Sequence, residues 1–140
     1  MNRIDVEGGC LCGAIRYRIS GNVLGEVTCH CRDCQYVCGG APAYVIAVPK
    51  KSIEMLRGEP ARFENTAESG ARRIRQFCPN CGTPLFAENS KYPQVVSVKV
   101  GSLDDSTFFK PSAQLWTGSA PRWHEIDPEV PAFTKGPESA

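Results

Sequence analysis

The sequence has no long hydrophobic run and almost no net charge, and these two absences exclude several classes of protein. No apolar run approaches the roughly 18 residues of a transmembrane helix, so we predict that the chain does not act in a membrane. The net charge of +1 creates no field that would attract nucleic acid or an acidic membrane surface. The first eight residues also lack the apolar segment of a secretory signal peptide, which predicts a cytoplasmic, reducing location.

The composition disfavours a helical bundle, since 13 Gly and 11 Pro occur in 140 residues and both residue types promote turns. Alternating or β-branched segments indicate strands instead. The predicted strands cover residues 15–20, 27–31, 43–48, 61–65, 71–77, 84–88, 95–101 and 114–117. A short turn or helix is expected over 50–56, and one helical turn over 35–38. We therefore predict one mainly β domain of antiparallel sheets over residues 1–140, with its core at about 4–127 and an irregular tail at 128–140.

Cysteine is abundant, with eight residues in this short chain. An even number could form four disulfides. However, the thiols occur as C-x-C and C-x-x-C clusters, and two strand residues at positions i and i+2 lie about 6.6 Å apart at Cα. That separation is awkward for a disulfide but suits two ligands of one metal ion. The clustering therefore favours metal binding.

Two of the clusters, far apart in the sequence, form a four-cysteine set. Its members are Cys10, Cys12, Cys78 and Cys81. Four thiolates complete a tetrahedral structural zinc site, which would tie the first strand to the middle of the chain. The alternative is four buried free thiols, because cysteine also packs as a small hydrophobic residue.

A second set lies within six residues and consists of Cys29, Cys31 and Cys34. Three protein ligands and one open position are typical of a reactive zinc, whereas four are typical of a structural one. Cys38 could supply a fourth ligand if the intervening turn is helical. His30 is a weaker candidate, because it points away from Cys29 and Cys31 in an extended segment.

A zinc ion with three thiolates has a net charge of −1 and is a poor activator of water. A thiol can still bind it as a thiolate, because the metal lowers the thiol pKa, and the sulfur stays nucleophilic. Such a site favours thiolate attack on a carbon electrophile, or the reverse release of a thiol, over hydrolysis.

Other charged residues could assist such a site. Arg72, Arg73 and Arg75 could attract an anionic thiol, although we expect a solvated strand face at these positions. His124 could act as a general base, although packing is the more common role of such a residue.

The cysteine motifs resemble those of the glutathione-dependent formaldehyde-activating enzyme family. Residues 9–13, 29–34 and 77–86 read GCLCG, CHCRDC and FCPNCGTPLF, and the tail from APRW at 120–123 to PAF at 131–133 is also similar. The resemblance implies a β-tent fold organised around a structural zinc on the four-cysteine set. It implies a second, catalytic zinc held by Cys29, Cys31 and Cys34. The implied activity is a carbon–sulfur lyase reaction that condenses glutathione with formaldehyde.

Two alternatives remain at this point. A non-catalytic zinc module would have two closed four-cysteine sites, with Cys38 as the eighth ligand. A thiol redox protein would instead form a reversible disulfide between Cys34 and Cys38. Exposed strand edges are also compatible with a homodimer, and a metal held by only three ligands could be labile.

Overall fold

The computed structural model describes residues 2–136, which form ten strands and one α-helix. The strands are β1 (Arg3–Gly9), β2 (Arg16–Asn22), β3 (Gly25–Cys29), β4 (Ala43–Pro49), β5 (Ile53–Arg57), β6 (Ala61–Thr66), β7 (Arg72–Phe77), β8 (Pro84–Asn89), β9 (Val95–Lys99) and β10 (Ala113–Leu115). The helix α1 spans Arg32–Val37, and 3₁₀ turns cover Lys50–Ser52, Val100–Ser102 and Thr117–Ser119. Within the described range, no helix has the length and apolar character needed to cross a bilayer.

The strands form a three-stranded sheet, β1-β2-β5, and a seven-stranded sheet, β10-β3-β4-β9-β8-β7-β6. The prediction of a mainly β fold is therefore confirmed. Antiparallel pairing is not complete, because β10 runs parallel to β3. A parallel pair needs a long connection, and here residues 30–112, which include β4 to β9, lie between β3 and β10.

The main core lies between the two sheets. Tyr17 and Ile19 on β2 are fully buried, as are Ile46 on β4 and Val98 on β9. These residues belong to one apolar cluster, which the alternation of each strand directs inward. The Tyr17 hydroxyl is hydrogen-bonded to the Ser102 hydroxyl at 2.6 Å, so its polar end is satisfied inside the core.

The opposite face of the large sheet carries small side chains in its centre. Neighbouring strands pair Val45 with Val27, Ala47 with Ser97, and Ser97 with Ala87. Because paired residues share a face, these short side chains form a low floor. A cavity of about 500 Å³ lies above this floor, and we call it the floor cavity.

The structure corrects several local predictions. Strands β1 and β5 were not predicted, and only Lys50–Ser52 of the expected 50–56 turn is helical, because β5 pairs with β2. The helix starts at Arg32 rather than at residue 35, because the Cys31 sulfur caps it. The tail is irregular as far as it is described, apart from a bridge between Ala132 and Gln114; residues 137–140 lie outside the described residues.

Candidate functional site

The four-cysteine cluster forms where the β1–β2 loop meets the turn between β7 and β8. The sulfurs of Cys10, Cys12, Cys78 and Cys81 lie within 4.8 Å of one another. The Cys12 sulfur is 3.6 Å from that of Cys10 and 3.8 Å from that of Cys78. Two sulfurs on one tetrahedral zinc are separated by about 3.8 Å, so this donor set fits a zinc ion with little rearrangement.

Hydrogen bonds around this cluster favour thiolates, the form that binds metal. The Thr83 hydroxyl lies 3.1 Å from the Cys81 sulfur and lowers the pKa of that thiol to about 5. The amide of Ile15 donates to the Cys10 sulfur at 3.2 Å. Thr83 lies within the quoted FCPNCGTPLF motif, but sequence reasoning assigned it no role.

The three-cysteine cluster forms where β3 leads into α1. Cys29 ends β3, Cys31 caps the helix and Cys34 lies in its first turn. Their three sulfurs lie within 4.8 Å of one another, and the group does not include Cys38. Cys38 instead packs, partly buried, against the apolar residues beside the cluster.

Two sulfurs of this cluster lie closer together than those of the four-cysteine cluster. The Cys31 sulfur lies 2.9 Å from that of Cys34 and also accepts the Cys34 amide at 3.2 Å. Two sulfurs bound to one zinc lie about 3.8 Å apart, so the pair must separate by about 1 Å to hold this metal. The donor set fits a metal ion after that small movement.

The surroundings of Cys34 favour its thiolate form. The pKa of this thiol is lowered to about 3, chiefly because the thiols of Cys29 and Cys31 hydrogen-bond to it. The positive charges of Lys99 and Arg75 lower it further. The same hydrogen bonding raises the pKa of Cys29. These neighbouring thiols and cations therefore stabilise an anionic sulfur at this site.

His30 is fully buried and does not belong to the group of three sulfurs. Its Nδ1 lies 2.8 Å from Nδ1 of His124, and Nε2 of His124 lies 2.7 Å from the carbonyl oxygen of Gly40. A carbonyl only accepts hydrogen bonds, so Nε2 of His124 donates to it and the His124 Nδ1 accepts from His30. Both nitrogens of His124 are thus engaged, which favours packing over a role as a general base.

The histidine pair connects the segment between Cys29 and Cys31 to the C-terminal part of the chain. We expect His124→Ala to lower the free energy of unfolding by about 1–3 kcal/mol, because it leaves His30 Nδ1 buried without a partner. We also expect weaker metal retention at the three-cysteine cluster. Urea unfolding and metal analysis after dialysis would measure both effects. The control is Glu125→Ala at the neighbouring exposed position, and equal behaviour of the two variants would contradict the positioning role.

The floor cavity opens beside the three sulfurs. Its charged lining residues are Arg32, Asp33, Glu68, Arg73, Arg75 and Lys99, with a net charge of +2. The expectation that the arginines form a solvated strand face is correct only for Arg72, which pairs with Glu64 at the surface. Arg73 and Arg75 line the cavity, and Arg75 is only 8% exposed.

Lys99 was not identified as a site residue from the sequence. It is 8% exposed and lines the cavity at the end of β9. The alternation of β9 contains the signal, because Val96 and Val98 face the core while Ser97 and Lys99 share the other face. A lone lysine at a strand end is common, however, and only the sheet register places this one near the thiols.

Comparisons with known proteins identify one family whose model matches most of this chain. The sequence model described as "Glutathione-dependent formaldehyde-activating enzyme" matches residues 5–119. A Halomonas elongata protein named "Putative glutathione-dependent formaldehyde-activating enzyme" is 24% identical over 130 residues, which cover 87% of this chain and 81% of that protein. A Schizosaccharomyces pombe protein named "Uncharacterized lyase" is 26% identical over 133 residues, covering 93% of this chain and 91% of that one.

A solved structure supports the fold alone. The crystal structure of a Rhodobacter sphaeroides protein superposes with a TM-score of 0.58 at 18% identity. The match covers 91% of this chain and 99% of the other. The two chains therefore share one fold over nearly their whole lengths.

Proposed function

Because this chain belongs to the glutathione-dependent formaldehyde-activating enzyme family, we propose that it is a zinc-dependent carbon–sulfur lyase. The substrates would be a small thiol such as glutathione and an aldehyde such as formaldehyde, and the reaction would condense them or release the thiol again. The observation that carries this proposal is the group of three sulfurs beside a cavity of about 500 Å³. A cavity of this size accommodates a small peptide thiol.

The two clusters would have different roles. The four-cysteine cluster would hold a structural zinc, since its sulfurs already have tetrahedral spacing. Cys29, Cys31 and Cys34 would hold the catalytic zinc. When bound there, zinc would supply a coordination position at which a thiol loses its proton.

The chain's own residues would then favour carbon–sulfur bond formation. Three cysteine sulfurs surround the position with negative charge, which keeps the substrate sulfur nucleophilic. Lys99 and Arg75 offset part of that charge. The sulfur attacks the aldehyde carbon, the carbon–sulfur bond forms, the C=O π bond breaks, and the proton released by the thiol ends on the new hydroxyl. The reverse reaction breaks the carbon–sulfur bond and returns the proton.

Cys38 bears on the alternative of a closed, non-catalytic module. That alternative needs Cys38 as a fourth ligand, but the group of three sulfurs forms without it. This arrangement favours the enzyme.

The test is the response of the cobalt-substituted protein to small thiols. We expect two metal ions per chain, and we expect millimolar 2-mercaptoethanol to change the cobalt absorption, because an added sulfur enters the coordination sphere. Cys38→Ser should keep both metals and the response. Loss of one metal in Cys38→Ser, or an unchanged spectrum with thiol, would contradict the proposal.

A further inference from the structure

The floor cavity is lined by one cation, Arg73, whose side chain has no partner among the described residues. The three-cysteine cluster lies at the β3 side, and Arg73 lies on β7, four strands away. The register places Arg73 opposite Asn89 on β8, on the same face as Arg75, which lies opposite the floor residue Ala87. Both ends of the cavity therefore belong to one continuous face of the sheet.

The neighbouring arginines of β7 are engaged, whereas Arg73 is not. Arg72 forms an ion pair with Glu64. Arg75 donates to Asn65 at 3.0 Å and lies 3.9 Å from an Asp33 carboxylate oxygen. Within residues 2–136, the side chain of Arg73 has no hydrogen-bond or ion-pair partner, and its Nε is buried without an acceptor.

Buried donors of this kind normally have an acceptor, because leaving one unpaired costs about 1–3 kcal/mol and more in a charged group. Glu68 also lines the cavity, but its carboxylate lies 3.7 Å from Lys135. Thus no carboxylate of the described chain neutralises Arg73. A carboxylate bound in the cavity would supply the missing acceptor.

Helix α1 brings the thiols toward the strand that carries Arg73. The Asp33 carboxylate, next to Cys34 in the chain, accepts a hydrogen bond from the Asn65 amide at 3.0 Å. Asn65 in turn pairs with Arg73 across β6 and β7. The guanidinium and the three sulfurs therefore line one cavity from separate elements. This arrangement suits a thiol whose anionic group is several bonds from its sulfur, as in a small peptide.

We propose that Arg73 is a specificity-determining residue that binds a carboxylate of the thiol substrate, remote from the reacting sulfur. This inference rests on the proposed function, since it takes the three-cysteine cluster as the position of the substrate sulfur. A guanidinium group matches a carboxylate through two parallel hydrogen bonds, a geometry that lysine does not reproduce. The small floor residues leave room for the chain that connects the two ends.

Isothermal titration calorimetry of the zinc-loaded, full-length protein with S-methylglutathione tests the proposal with a ligand that has no free thiol. This ligand keeps both carboxylates, and its sulfur is blocked; its diethyl ester has no carboxylate. We expect Arg73→Gln to weaken binding of the acid at least tenfold and to change binding of the ester less than twofold. The affinity of Arg73→Lys for the acid should lie between those of wild type and Arg73→Gln.

Arg72→Gln is the matched control, one residue away but exposed and ion-paired. It should change neither affinity by more than twofold. The wild-type protein provides a second measurement. Raising the salt concentration from about 50 to about 500 mM should weaken its binding of the acid and leave its binding of the ester unchanged. Equal affinity of wild type for acid and ester, no detectable binding of the acid, or equal losses in Arg72→Gln and Arg73→Gln would overturn the proposal.

A separate measurement distinguishes this inference from the proposed function. The cobalt spectrum with 2-mercaptoethanol involves no carboxylate and therefore reports only on the sulfur position. A cobalt response without Arg73 dependence refutes the carboxylate contact alone. Arg73-dependent binding of S-methylglutathione without any cobalt response refutes the lyase site and leaves an anion-binding cavity.

Discussion

Cys34→Ser is expected to lower kcat/KM for thiol–aldehyde condensation more than about 100-fold and to remove one metal ion per chain. Losing a residue that merely orients a metal ligand already costs about 10–100-fold, and Cys34 is proposed as a ligand itself. Hydrogen bonds from the Cys29 and Cys31 thiols also lower the pKa of Cys34, which favours the thiolate form that binds metal. Steady-state kinetics and metal analysis of the purified variant would measure both effects.

The appropriate control for this variant is Cys38→Ser. Cys38 lies four residues later and lines the same apolar cluster, but it is not in the group of three sulfurs. It should retain two metals and activity within about threefold of wild type. Far-ultraviolet circular dichroism should be unchanged in both variants, because the main core lies on the other face of the sheet. Full activity of Cys34→Ser would refute its catalytic role.

Cys78→Ser is expected to have the largest effect on stability. Cys78 is 1% exposed, and its sulfur lies 3.8 Å from that of Cys12 across 66 residues of sequence. A metal held there connects two distant segments, so its binding free energy contributes directly to folding. We expect the free energy of unfolding to fall by at least about 4 kcal/mol, a large part of the 5–15 kcal/mol typical of a domain.

Thermal unfolding with and without a chelator would measure this effect. Wild type should unfold at a much lower temperature once the chelator has removed the metal from the four-cysteine cluster, and Cys78→Ser should respond little. Cys34→Ser should lose far less stability than Cys78→Ser. If the two variants are equally stable, or if metal removal leaves the wild-type transition unchanged, the structural role of the first cluster is wrong.

Much of the strand pattern was predictable because alternation in the sequence reflects burial directly. The segments at 43–48, 71–77 and 84–88 match β4, β7 and β8 closely, whereas the segment at 95–101 contains β9 but ends in a 3₁₀ turn that begins at Val100. Strand β5 was missed because four of its five residues are exposed. This segment forms a strand because it pairs with β2, and its own side chains show no alternation of buried and exposed residues that would indicate it.

The candidate metal sites were also visible in the sequence, since cysteine spacing is a local property. Both groups of sulfurs contain the residues expected from their motifs. The position of Cys38 was not predictable in the same way. The helix begins at Arg32 with Cys31 as its cap, and this early start sets where residue 38 lies relative to the three sulfurs.

The side-chain types, their periodicity and the cysteine spacing therefore identified a mainly β chain with two clusters of metal-binding type. The cavity and its chemistry came from long-range pairing. The register from β3 to β7 places Lys99 and Arg73 on the same face as Cys29, across strands that are distant in sequence. The contact between His30 and His124 likewise joins residues 94 positions apart. Local sequence cannot encode such contacts, because they depend on which strands become neighbours.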